Sequence, residues 1–122
     1  MRFLPCYLLL ALGSVLVAEL AGTWSFSVDL DNGSHGTPTF VFEQKGETLG
    51  GTYKGPLGEK TVTGKVRGTQ AIFSFEFTQN GQALKATYTG QVESAGKMSG
   101  KVAFTTAEGA DAGGGKWTAS RK

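Results

Sequence analysis

From residue 22 onward, apolar side chains recur at every second position rather than every third or fourth. That is the period of strands with one wet face. The alternation predicts eight strands. Trp24, Phe26, Val28 and Leu30 share one face of the first, Phe40 and Phe42 mark the second, and Leu49, Gly51 and Tyr53 the third. Val62, Gly64 and Val66 mark the fourth, and Phe73, Phe75 and Phe77 the fifth. The sixth carries Leu84, Ala86, Tyr88, Gly90 and Val92, and the seventh Met98, Gly100, Val102 and Phe104. Gly115, Trp117, Ala119 and Arg121 make the eighth, and Thr, Ser, Lys and Glu fill the alternate positions throughout.

The turns set the pairing. Asn80-Gly81 is a strong two-residue hairpin signal because both residues tolerate positive φ. It places Phe77 opposite Leu84, Phe75 opposite Ala86 and Phe73 opposite Tyr88. Gly68-Thr69 suits a tight turn with glycine first, setting Val66 against Ala71, Gly64 against Phe73 and Val62 against Phe75. Ser94-Ala95-Gly96 suits a three-residue loop that pairs Val92 with Met98 and Gly90 with Gly100, with Glu93 beside Lys97 on the wet face. A turn at Lys45-Gly46 predicts Phe42 opposite Leu49 and Phe40 opposite Gly51. A four-residue loop, Pro56 to Glu59, predicts Tyr53 opposite Val62 and Gly51 opposite Gly64. Every junction keeps the apolar set on one side, as a half-buried sheet requires.

These registers predict an inward row of Phe40, Gly51, Gly64, Phe73 and Tyr88, with two glycines between large rings. A closed eight-stranded sheet has an interior wide enough for side chains or one small ligand, so the glycines make room either for packed aromatics or for a pocket. The expected fold is all-β: an eight-stranded antiparallel up-and-down meander closing into a barrel. A two-sheet sandwich is the competing arrangement. Short connections, and the absence of an edge strand guarded by proline or extra charge, favour closure. In a meander the turns at 45–46, 68–69 and 94–96 gather at one end beside Trp24. Those at 31–36, 56–59, 80–81 and 105–114 gather at the other, so that end is rich in loops.

Gly22-Thr23-Trp24, opening the first strand, resembles the glycine-x-tryptophan start of the calycin barrels, the lipocalin, avidin and fatty-acid-binding group. The resemblance implies a calycin-like barrel in which a basic residue of the last strand packs across this tryptophan. Arg121 matches that role, with Gly90 and Gly100 leaving room beside it. Leu49-Gly50-Gly51-Thr52-Tyr53 is similar to the avidin strand that brings a tyrosine to biotin, which implies Tyr53 as a binding residue. Phe26 and Leu30 stand where that family has hydrogen-bonding side chains, and Gly55 replaces a small polar residue, so biotin is not the expected ligand. Residues 22–122 also resemble short glycine-rich β domains of exported bacterial proteins, which imply no particular activity.

The first 18 residues read as an export signal: Arg2, an apolar run from Phe3 to Val17, and Ala18 as a small residue for cleavage. The run is short for a membrane span and no basic stop follows it. The expected organisation is therefore a signal peptide over 1–18 and a single barrel domain over 19–122, secreted or periplasmic, monomeric, and off the membrane once the signal is gone. Cys6 lies in the signal, so the mature chain has no thiol for disulfides or metal. Losing Arg2 from 12 basic side chains leaves 11 against 10 acidic ones, a balance that argues against nucleic acid.

Catalytic chemistry is missing from the pattern. The inward face carries no carboxylate or histidine, His35 stands alone in the first loop, and the lysines at 54, 60, 65, 85, 97, 101 and 116 read as a solvated face. Asp29, Asp31 and Asn32 lack the spacing and terminal glutamate of a calcium loop, so no metal, cofactor or enzymatic activity is expected. The expected function is binding of a small apolar or aromatic ligand at the loop-rich end. Tyr53, Phe75, Phe77, Phe104 and Trp117 would form the wall, with Asn80 and Asp111 as polar contacts. The alternative is a protein-interaction or accessory module, for example inhibitor-like, whose packed barrel displays the loops 31–36 and 105–114 to a protein partner.

Overall fold

The computed structural model describes residues 18–122, so the expected export signal lies outside the described residues except for Ala18. The strands are β1 (Gly22–Leu30), β2 (His35–Gly36), β3 (Thr39–Lys45), β4 (Thr48–Gly55), β5 (Gly58–Arg67), β6 (Gln70–Gln79), β7 (Gln82–Ser94), β8 (Lys97–Thr106) and β9 (Asp111–Arg121). Each long strand pairs antiparallel with its neighbours in chain order. The ladder from Trp24↔Arg121 to Leu30↔Gly115 joins β1 to β9 and closes an eight-stranded barrel, not a sandwich. β2 is a two-residue addition in the expected first loop, paired with Val28 and Asp29 of β1.

The Asn80-Gly81 hairpin has the expected register from Phe77↔Leu84 to Phe73↔Tyr88, with φ of 53° and 77° at the two turn residues. Val66↔Ala71, Gly64↔Phe73, Val92↔Met98 and Gly90↔Gly100 also pair as expected. Two registers differ. The β3–β4 loop is Gly46-Glu47, which places Phe42 opposite Gly51 and Phe40 opposite Tyr53. The β4–β5 loop is Pro56-Leu57, which places Gly51 opposite Val62 and Tyr53 opposite Lys60. Both shifts are by two residues, so no side chain changes face and the periodicity cannot detect them. The inward row is therefore Leu49, Gly64, Phe73, Tyr88 and Val102, while Gly51 lies between Phe42 and Val62.

Two smaller corrections arise from bulges. Glu93 falls at a shift in the β7–β8 ladder, so Ser94 faces Lys97 and the Glu93 carboxylate accepts a hydrogen bond from Ser99. The expected loop at 105–114 is mostly ladder, with Thr105 opposite Asp111 and a bulge near Ala112 and Gly113.

Gly51, Gly64, Gly100 and Gly115 mark where strands run too close for a side chain. A Cβ on Gly64 would overlap the Ile72 carbonyl oxygen and lie 2.6 Å from the Phe73 Cα. Gly51 adds a positive φ of 149°, a conformation side chains disfavour. Glycine kinks of this kind let a sheet curve tightly enough to close.

Residues 18–21 strap the end where β1 begins. Leu20 is buried there, and its N–H donates to Gln44 Oε1 at 2.7 Å. The Gln44 amide donates to Ala18 O at 2.8 Å and the buried Trp24 Nε1 to Leu20 O at 2.9 Å. Arg121 lies 4.7 Å from the centroid of the Trp24 ring and donates to the carbonyls of Ala21 and Glu19 at 2.5 and 2.6 Å. Gly90 and Gly100 do not serve this contact. Gly90 makes room for Trp117, whose nearest ring carbon would lie 2.5 Å from a Cβ there, and Gly100 for the β7 backbone at Thr89 and Gly90.

At the opposite end the wall parts. The β5–β6 ladder stops at Thr63↔Ser74 although both strands continue, so the expected Val62–Phe75 pair does not form.

Candidate functional site

The inward side chains fill the barrel from the floor to about its middle. Phe26 stacks on Trp117 at 4.8 Å between centroids and lies 4.3 Å from Phe40. Phe73 stacks on Tyr88 at 5.3 Å with 12° between planes, and Tyr53 on Phe75 at 4.3 Å. Above this aromatic layer the loop-rich end opens into a recess of about 320 Å³. Its walls are the upper inward residues Val28, Leu30, Tyr53, Phe77, Leu84, Tyr88 and Phe104, joined by Leu57 from the β4–β5 turn. Asn32, Ser34, His35 and Gln79 supply the polar part of the lining. The volume lies at the small end of the range for ligand sites, and the composition, apolar with a few polar groups, is typical of them.

Two phenols enter this lining. Tyr53 is buried, and its hydroxyl oxygen accepts a long 3.4 Å hydrogen bond from the Leu57 N–H. Desolvation by burial pushes its pKa up, partly offset by that backbone bond. Tyr88 is 3% exposed, and among the described residues its hydroxyl has no hydrogen-bond partner. Desolvation pushes its pKa up strongly, and the nearby Tyr53 hydroxyl adds to the shift. Both phenols are therefore neutral at ordinary pH, available as donors.

At the rim, His35 Nδ1 lies 2.6 Å from Asp29 Oδ1, both groups exposed, which ties β2 to β1. The Asn32 side chain accepts from the Ser34 N–H at 2.8 Å and shapes the turn between them. Lys60 shares the inward parity of Val62 and is half-buried, unlike the exposed lysines with which the sequence groups it. No ion pair engages it among the described residues. Its side chain passes about 4.0 Å from the position of a Cβ on Gly58, close to the parted β5–β6 wall.

Of the side chains the sequence nominates, Tyr53, Phe77 and Phe104 line the recess. Phe75 lies beneath it, covered by Tyr53 and buried. Trp117 is not at the mouth. It pairs with Val28 and Gly100, is buried against Phe26, and donates from Nε1 to Lys101 O at 2.9 Å. Asn80 is exposed in the β6–β7 turn, its conformation set by the turn. The Asp111 carboxylate accepts from the Gly113 N–H at 3.0 Å and is exposed, so it serves the β9 bulge rather than the recess. Tyr88 and Leu84 share the inward face of the sequence pattern and also line the recess, with no local signal that sets them apart from their neighbours. Lys60 was legible by its two-residue spacing from Val62. No group of three His, Cys, Asp or Glu side chains gathers as a metal centre among the described residues.

Comparison with solved structures places the fold among small barrels. A redesigned β-barrel matches with a TM-score of 0.63 at 19% identity, over 89% of this chain and 94% of its own. EF1p2_mFAP2b bound to DFHBI matches at 0.62 and 17% identity, over 84% of this chain and 94% of that one. The redesigned barrel mFAP1 bound to DFHBI matches at 0.56 and 17% identity, over 89% and 97%. At this identity the likeness is one of fold. No family model matches the chain, and no curated protein matches it in sequence.

Proposed function

We propose that this protein is an exported, calycin-like barrel that binds a small apolar or aromatic molecule in the recess at its loop-rich end, without catalysing a reaction. The observation that carries this reading is the recess itself: about 320 Å³, walled by apolar side chains and holding two neutral phenols. Two of the structurally similar barrels are bound to DFHBI, which fits a barrel of this size accepting a small organic molecule. His35 and Asp29 form an exposed hydrogen-bonded pair, and among the described residues no hydroxyl is hydrogen-bonded to the imidazole. The leader-like run over 1–18 supports a secreted or periplasmic location. Cleavage after Ala18 would remove the bonds that Ala18 makes to Gly68 and Gln44 and keep the Leu20 plug. The near-neutral charge and the closed ladder support a monomer without nucleic-acid affinity.

The test is titration of the mature protein with an environment-sensitive naphthalene dye, alongside Leu84→Trp, which fills the recess. Saturable binding by the wild type and its loss in Leu84→Trp is the expected result. No binding, or equal binding by both, would remove the recess as the site. The rival reading, a protein-binding module, draws support from the aromatic layer that fills the barrel below the recess. A partner captured by the wild type and by Leu84→Trp alike, with no dye bound by either, would favour it.

A further inference from the structure

Buried polar groups in folded proteins nearly always find a partner, and the two buried indoles and the Tyr53 hydroxyl of this barrel each make a hydrogen bond. Trp24 Nε1 donates to Leu20 O and Trp117 Nε1 to Lys101 O, while the Tyr53 hydroxyl oxygen accepts from the Leu57 N–H. Tyr88 is the exception: among the described residues its hydroxyl makes no hydrogen bond, as donor or as acceptor. Its ring is wedged against Phe73 at 5.3 Å and Phe40 at 5.3 Å, with Trp117 at 5.9 Å, so the hydroxyl cannot swing elsewhere for a partner. It is 3% exposed and lies on the wall of the recess. An unmet donor held rigidly in an apolar cavity is the arrangement that rewards a ligand bringing an acceptor and penalises one that does not.

We infer that the recess selects a flat, largely apolar ligand bearing one hydrogen-bond-accepting carbonyl oxygen, which receives the Tyr88 hydroxyl proton. This rests on the binding role proposed above. Val28, Leu30, Phe77, Leu84 and Phe104 cover the body of such a ligand. They offer no charge to pair with an ionised group, and the polar lining residues Asn32, Ser34, His35 and Gln79 are exposed, so the buried polar contact falls to the phenol. Burial keeps its proton in place at ordinary pH, which makes the group a donor throughout.

Fluorenone and fluorene separate the two ideas, because they share a tricyclic body and differ by the carbonyl. Affinities for both are measured on the mature wild type and on Tyr88→Phe, with an unfolding curve confirming that the variant is folded. The expected result is that fluorene affinity is unchanged by the substitution, while the fluorenone-to-fluorene affinity ratio falls about tenfold, the effect of one hydrogen bond to a buried group. If fluorene binds and the ratio does not move, the inference about Tyr88 is overturned and the binding role stands. If neither compound binds the wild type, the binding role fails and takes the inference with it.

Discussion

Replacing Gly100 by alanine adds one methyl group to the middle of β8, and the general expectation is a gain. Alanine narrows the unfolded ensemble and stabilises by about 0.4–1 kcal/mol where the native conformation accepts it. The backbone of Gly100 is not in the positive-φ region, so that benefit is available here. The space is not. The new Cβ would overlap the Thr89 carbonyl oxygen and lie 2.5 Å from the Gly90 Cα, both backbone atoms of the adjoining strand that have no rotamer to escape into. Relief requires the β7–β8 ladder to spread beneath Trp117, which pairs with Gly100 and covers Gly90. Forcing a methyl into a well-packed interior costs about 1–3 kcal/mol, so the net change is a loss of about 1–2 kcal/mol. For a domain of this size that lowers Tm by roughly 4–15 °C. Gly50→Ala is the control, since its Cβ would meet nothing nearer than the Val62 carbonyl oxygen at 3.8 Å, and it should stay within about 0.5 kcal/mol. Thermal and urea unfolding of the mature protein, with the urea slope checked for constancy, measures both. A Gly100→Ala variant as stable as the wild type, or equal shifts in the two variants, would refute the idea that close strand approach dictates these glycines.

The remaining predictions concern the two ends of the barrel. Trp24→Ala removes a fully buried indole from the strapped floor and should cost about 3–5 kcal/mol by urea unfolding; a loss below about 1 kcal/mol would contradict its place there. Arg121→Gln gives up the contact with Trp24 and the bonds to Ala21 and Glu19, for an expected loss of about 1–2 kcal/mol in the same assay. Tyr88→Phe deletes a hydroxyl with no partner among the described residues, so the unliganded variant should be as stable as the wild type or up to about 1 kcal/mol more stable. A clear loss would reveal a partner. Tyr53 and Tyr88 are the tyrosines of the expected mature chain, and burial raises both above the ordinary 10.0. The native state then holds these protons more tightly than the unfolded one, so their contribution to stability should be constant below pH 10 and fall as pH rises beyond it. Near-ultraviolet phenolate absorbance should appear later in the folded protein than in denaturant; coincident titrations would count against the burial of both rings.

Local pattern determined a great deal of this molecule. The two-residue period assigned the inward face of the eight long strands, and Asn80-Gly81 set the β6–β7 register down to Phe73↔Tyr88. The resemblance nominated Trp24 and Arg121, and the two meet at the closing seam. Three things were decided only in three dimensions. A register displaced by two residues leaves every side chain on its own face, so alternation could not distinguish Phe42↔Gly51 from Phe42↔Leu49; the close approach of the backbones at Gly51 did. The height of an inward residue in the barrel depends on the stagger of all its strands, which is why Trp117 lies in the packed layer while Tyr88 reaches the recess. Finally, the isolation of the Tyr88 hydroxyl depends on Phe40, Phe73 and Trp117, which arrive from three other strands. Face is a property of neighbours along the chain; depth and hydrogen-bond partnership belong to residues brought together by closure.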